Sequence, residues 1–219
     1  AEASTAEITI PGQGVIKLFP NSSLTLRNGH KEDNRFDINA SQFELRTMID
    51  TSKFVEFADI PPFRIKTGNI TISTEVAALK YIEATKTLIL DFGWLEVKTG
   101  NEVIPLASGH FVDLTPNNLL YIPINSASDS SQKSRLLIMN REGLKDDIFA
   151  AFVVNATETE ALAMVYLVKR SSGILREKLV LKMEELFPAI DPDIRNGLLK
   201  LDQDAFIYLT GFLKWNLLF

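Results

Sequence analysis

The chain of 219 residues contains no cysteine. Disulfides, thiolate catalysis and cysteine-ligated metals are therefore excluded, and the absence favours a reducing compartment such as the cytoplasm. Histidine is nearly absent too, with only His30 and His110 available for acid–base work near neutrality. No run of about 20 apolar residues is present, so no transmembrane helix is expected. A signal peptide is also missing, and the chain opens on Ala1 rather than Met, which points to a processed or trimmed N-terminus. Basic residues are not in excess: 23 Lys and Arg against 28 Asp and Glu leave a net charge of -5. That balance argues against nucleic acid as the partner, because phosphate contacts need clustered cations. Nucleophile elbows, Walker loops, dinucleotide fingerprints and His-Glu-x-x-His helices do not occur, and Gly12-Gln13-Gly14 lacks the third glycine and following helix of a dinucleotide site. No pair of carboxylates is singled out by its spacing.

What is present is a series of short alternating runs. The stretch from Leu88 to Asn125 organises them. Leu88–Leu90 and Trp94–Lys98 read as strands. Thr99-Gly100-Asn101 supplies a tight turn, and Glu102–Leu106 leads back. Ala107-Ser108-Gly109 turns again, followed by strands at His110–Leu114 and Leu119–Ile124 around Thr115-Pro116-Asn117-Asn118. Earlier, Ile8–Ile10, Val15–Phe19, Leu24–Leu26, Phe63–Lys66 and Asn69–Thr74 repeat the pattern. Phe36–Phe57 stays ambiguous between period two and a short helix, as does Glu75–Thr85. His30–Arg35 reads as a solvated charged loop, and Ser126–Ser134 as an exposed, mobile connection before a strand at Leu136–Met139. Asn21, Asn39, Asn69 and Asn155 each begin an Asn-x-Ser/Thr sequon.

The order Gly93-Trp94-Leu95-Glu96-Val97, then Leu106, Gly109, Val112, Leu114 and Pro123, resembles the core of cupin-like jelly-roll barrels. The resemblance covers residues 88–125 and implies a barrel of turn glycines and inward apolar positions. That family's metal site needs a His-x-His pair, a Glu and a further His, which two histidines cannot supply. No metal and no cofactor are therefore expected. A cupin-like barrel followed by helices also looks like the sensing half of some transcription regulators, which keeps a small-molecule ligand open.

Beyond residue 143 the period changes from two to that of a helix. Asp146–Val154 either closes the sheet or opens the helical part. Thr157-x-x-Glu160 is a capping box, after which Leu162, Val165, Tyr166 and Leu167 suit a helix. Ser171-Ser172-Gly173 breaks it, and Ile174–Phe187 resumes with apolar and charged faces. Asp191-Pro192 starts a helix to Lys200, with Asp as cap and Pro at the first helical position. Asp202 caps the last helix, Gln203–Asn216, which is apolar nearly all round. Lys169, Arg170, Arg176, Lys178 and Lys182 form the densest basic cluster, read as a solvated face because glutamates interleave it.

The expected fold is α+β: an antiparallel β-barrel or β-sandwich of jelly-roll type over 1–140, followed by a helical subdomain over 141–219. The expected function is non-enzymatic binding and assembly, as a homo-oligomer or with a protein partner. Phe206, Leu209, Phe212, Leu213 and Trp215 of the last helix are the candidate partner-binding residues, since so apolar a helix must be covered, by its own chain or by another. The alternatives are a ligand-sensing regulatory domain and an enzyme working through His30 or His110.

Overall fold

Alternation of apolar and polar residues produces nine strands among the described residues of the first part of the chain. They are β1 (Ala6–Ile10), β2 (Gly14–Leu18), β3 (Ser23–Asn28), β4 (Asn34–Asn39), β5 (Gln42–Thr47), β6 (Phe63–Thr67), β7 (Ile70–Ile82), β8 (Thr87–Thr99) and β9 (Glu102–Ala107). The computed structural model describes residues 4–10, 14–28, 34–47, 62–188 and 190–218, and within these not the side chains of residues 27, 28, 34, 215, 217 and 218. The expected loop at His30 and the ambiguous stretch beyond Thr47 lie largely outside the described residues. The chain divides into two units, Ala1–Gly109 and His110–Phe219.

The first unit is built on the long antiparallel hairpin β7–β8, closed by the single 3-10 turn Glu83–Thr85. The far side of β7 is shared. Its first half pairs with β6, which leads to β4 and β3, and its second half pairs with β5, which leads to β2 and β1. Among the described residues of this unit, β4–β6 is the parallel pairing and its other strand pairs are antiparallel. The two limbs diverge where β7 and β8 each carry one extra residue. Thr74 faces Leu95 and Val76 faces Trp94, leaving Glu75 over. Ala78 faces Phe92 and Leu79 faces Leu90, leaving Asp91 over. Such bulges bend and twist a strand pair. They also explain the burial. Even residues 70, 72 and 74 point inward before the bulge on β7, and odd residues 77, 79 and 81 after it. On β8 the parity changes between Leu90 and Leu95. One side of the sheet therefore stays buried through the bend.

The bend dictates glycine at position 93. Its φ is +98°, and a Cβ there would lie 2.0 Å from the Val76 carbonyl oxygen. The same point is pinned by side chains: Gly93 N–H donates to Ser108 Oγ at 2.9 Å, and Thr74 Oγ1 donates to the Trp94 carbonyl at 2.8 Å.

This sheet is not a closed barrel. Among the described residues β1, β3 and β9 each have one strand neighbour, because the sharing of β7 sends the strands out along two limbs instead of round a circle. Pro105 fits within β9, since an edge strand needs no N–H on its open side. The resulting class is α+β, a large and mainly antiparallel sheet with helices C-terminal to it.

The second unit opens with a two-stranded ribbon, β10 (His110–Asp113) and β11 (Ile124–Asn125). The expected strand over Leu119–Ile124 survives only in its last residue. The backbone donors show why: Leu119 and Leu120 N–H donate to the Asn140 carbonyl at 2.8 and 3.1 Å, Ile122 N–H to Asn140 Oδ1 at 2.8 Å and Tyr121 N–H to Tyr166 Oη at 2.9 Å. Donors satisfied by helix groups have no need of a strand partner.

Six helices follow: α1 (Ser130–Glu142), α2 (Asp146–Asn155), α3 (Ala161–Arg170), α4 (Gly173–Leu186), α5 (Pro192–Lys200) and α6 (Gln203–Leu218). Two expectations are corrected by α1, the mobile serine loop and the strand at Leu136–Met139. Asp129 caps this helix, its Oδ1 accepting from Ser131 N–H at 2.7 Å and Gln132 N–H at 2.9 Å. Gln132, Leu136, Met139 and Asn140 then fall on one buried helical face. The Thr157/Glu160 capping box forms ahead of α3. Asp191 Oδ1 caps α5, and Asp202 Oδ1 accepts from Asp204 N–H at the start of α6. The innermost helix is α3, buried from Ala161 to Val168, with α4 and α6 as neighbours.

Candidate interaction surface

His110 is 1% exposed in β10, on the inward face with Val112, while Asp113 takes the other face and turns its carboxylate to Thr115. His30 lies outside the described residues. No cluster of three or more metal-ligating side chains occurs among the described residues.

Two titrating groups with shifted values sit together at the β7–β8 turn. Burial, reinforced by its hydrogen bond to Glu83, pushes the Tyr81 phenol well above its ordinary value. Burial also opposes ionisation of Glu83, but hydrogen bonds from Lys86 and Tyr81 outweigh it and hold the carboxyl below its usual range. The three side chains brace the turn that closes the hairpin, which is a structural task.

Four members of the basic cluster, Lys169, Arg170, Arg176 and Lys182, have partners within the helical unit. Arg176 binds the ends of two helices: Nε donates to the Val168 carbonyl in the last turn of α3, Nη2 to the carbonyl of Ser171 that follows it, and Nη1 to the Leu199 carbonyl of α5 at 3.1 Å. A cation at two helix C-termini complements both dipoles. Lys169 lies 4.6 Å from the ring centroid of Phe206, Arg170 lies 5.2 Å from that of Tyr166, and Lys182 pairs with Glu185 at 3.1 Å.

The last helix has two faces. Ala205, Phe206, Leu209 and Leu213 are buried, with α3 and α5 as neighbours. Three of the expected partner-binding residues, Phe206, Leu209 and Leu213, thus belong to the core of their own unit. Phe212 is half-buried at its margin, and the side chain of Trp215 lies outside the described residues. The opposite face exposes Ile207 and Tyr208, at 61% and 50%. These two were missed by ranking residues on apolarity alone. The signal was available: with Asp202 as cap, Phe206, Leu209 and Leu213 take one stripe of the helix and leave Ile207 and Tyr208 on another. Other helices of the unit also present large apolar groups, Ile174 and Leu181 one heptad apart on α4 and Val154 at the end of α2. Among the described residues no helix is long and apolar enough to cross a membrane.

No protein-family model matches the chain, and the comparison with curated proteins found no match. Among solved structures, two crystal structures of a "putative anti-sigma factor" from Parabacteroides distasonis ATCC 8503 are similar in part. Their sequences are 15% and 14% identical to this chain, each with a TM-score of 0.46, and the match covers 61% of this chain and 60% of that one.

Proposed function

We propose that the protein is a non-enzymatic binding and assembly protein that associates through its C-terminal helices, with a second copy or with another protein. The observation that carries this reading is the double face of α6. One stripe is committed to the core of the unit, while a second offers Ile207 and Tyr208 to the surroundings. Adjacent exposed side chains of this size are costly to leave in water and mark a surface that is covered in use. Ile174 and Leu181 on α4 extend the same character to a second helix. In this reading the sheet unit is a rigid scaffold of jelly-roll type, its two limbs set by the bulges at Glu75 and Asp91.

The test is a photoreactive residue placed at position 207, with a control at the exposed Glu96 of β8, in cells producing the intact protein. A cross-linked protein adduct is expected from position 207 and not from position 96. Cross-linking that is absent at 207, or equal at the two positions, would refute the reading.

A further inference from the structure

Among the described residues three strands end a limb of the sheet, and their core faces are closed to different degrees. On β9 the core-face side chains Ile104 and Leu106 are wholly buried, and the strand carries Pro105. On β1 the core-face Ile8 and Ile10 are half-buried. The edge at β3 is different. Leu26 is opposite Phe36 in the β3–β4 register, and Leu24 is opposite Ile38, so both leucines belong to the core face. Phe36 and Ile38 are 3% and 2% exposed, yet Leu26 is 58% exposed. Behind it Phe36 stacks on Phe63 with ring centroids 5.7 Å apart. The core of this limb thus runs out to its last strand and stops there without cover. That strand, Ser23–Asn28, holds neither proline nor lysine, the residues that commonly blunt an edge.

An edge strand with an open core face accepts a further strand through its backbone. The pattern of β3 fits a strand of its own kind. Leu24 and Leu26 are symmetric about Thr25. A two-fold axis normal to the sheet at Thr25 sets Leu24 opposite Leu26 of the second copy, Thr25 opposite Thr25 and Ser23 opposite Arg27. Directly opposite residues share a face, so the leucines of both copies form one apolar row joining the two cores, with the threonines on the solvent side. Each contact between unlike residues occurs twice, as an isologous interface requires. A two-fold axis along the strands would instead turn one sheet over. The leucines of one copy would then meet the threonine face of the other, and Arg27 would lie beside Arg27. Face and charge therefore select the antiparallel pair.

We infer that β3 is a self-pairing edge, to which a second copy of this chain adds its own β3 antiparallel, with Thr25 at the two-fold axis. This surface belongs to the sheet unit and is independent of the helical face proposed above. The pairing of two short strands buries less than a standard interface, and the expected dissociation constant is on the order of 100 µM.

The absence of cysteine makes the register directly testable in the full chain. In Thr25→Cys any disulfide joins two copies, and opposite residues of an antiparallel pair, about 4.5–5.5 Å apart at Cα, lie within the span of a disulfide. Oxidised glutathione is expected to link Thr25→Cys into a covalent dimer about tenfold faster than Thr9→Cys, a control on the exposed face of β1. In sedimentation equilibrium over about 5–1,000 µM, the wild type should pass from monomer to dimer. Thr25→Lys and Thr25→Glu each set like charges against one another at the axis, and each should weaken the dimer about tenfold. An equal mixture of the two variants should associate again. Thr25 is exposed, so the variants should keep the wild-type melting temperature, which also shows that each is folded. A wild type that stays monomeric, an association that both charged variants leave unchanged, or equal linkage at positions 25 and 9 overturns the inference. None of these results touches the helical reading, which the adduct at position 207 decides by itself.

Discussion

At the scale of single residues, Gly93 shows how strictly the bend of the sheet constrains the chain. With φ at +98° and the Val76 carbonyl oxygen 2.0 Å from any Cβ, neither the backbone nor the neighbouring strand accepts a side chain. Gly93→Ala should destabilise the fold by at least about 3 kcal/mol, read as a shift in denaturant midpoint, because strain and backbone overlap add. The same substitution at Gly100, whose Cβ meets nothing within 4 Å, carries only the penalty of its φ of +57° and should cost distinctly less. Tyr81 makes a pH prediction. Its phenol is raised by burial and by Glu83, so the folded state holds the proton more tightly than the unfolded chain. That contribution is complete below pH about 10 and is lost as the pH rises above it, where only the unfolded phenol ionises. Thermal melts should show an alkaline fall in stability that is reduced in Tyr81→Phe.

At the scale of elements, helix ends were more legible than strands. Asp191-Pro192 marks the start of α5 to the residue, and Thr157 with Glu160 forms the box expected of it, because capping is local chemistry written in four consecutive positions. The same chemistry at Asp129, with two serines and Gln132 behind it, was hidden by a serine-rich composition that resembles a loop. Asp129→Ala should lower the melting temperature by roughly 2–4 °C at neutral pH. The Asp129 carboxyl is held below its ordinary value by hydrogen bonds from Ser131 and Gln132, so this contribution is present above pH about 4 and disappears as the pH falls through the folded value. Melts of the two proteins should therefore converge in acid. The strand expected at Leu119–Ile124 failed for the opposite reason. Its alternation is real, but the groups that capture its N–H donors, Asn140 and Tyr166, are 18 to 45 residues away in sequence. No local pattern reports them.

At the scale of the whole molecule, the sequence announces a β-rich part followed by helices but not the way strands are shared. The branching at β7 depends on the bulges at Glu75 and Asp91, and an extra residue in a strand leaves alternation intact on either side of it. A closed barrel and a two-limbed sheet thus read alike until the pairing is seen. The association surface was legible in kind and displaced in detail. The last helix is too apolar for one face, yet Phe206, Leu209 and Leu213 go to the core of their own unit and Ile207 with Tyr208 remain outside. The central claim is that this outer face of α6 is covered in use, by a second copy or by another protein. Amide hydrogen exchange of the intact chain at about 1 µM and about 200 µM tests it most directly, because an interface slows exchange where it forms. Slower exchange at the higher concentration is predicted across Asp204–Lys214, with α1 unchanged. Identical exchange of α6 at both concentrations, together with no adduct from position 207 in cells, would contradict the account.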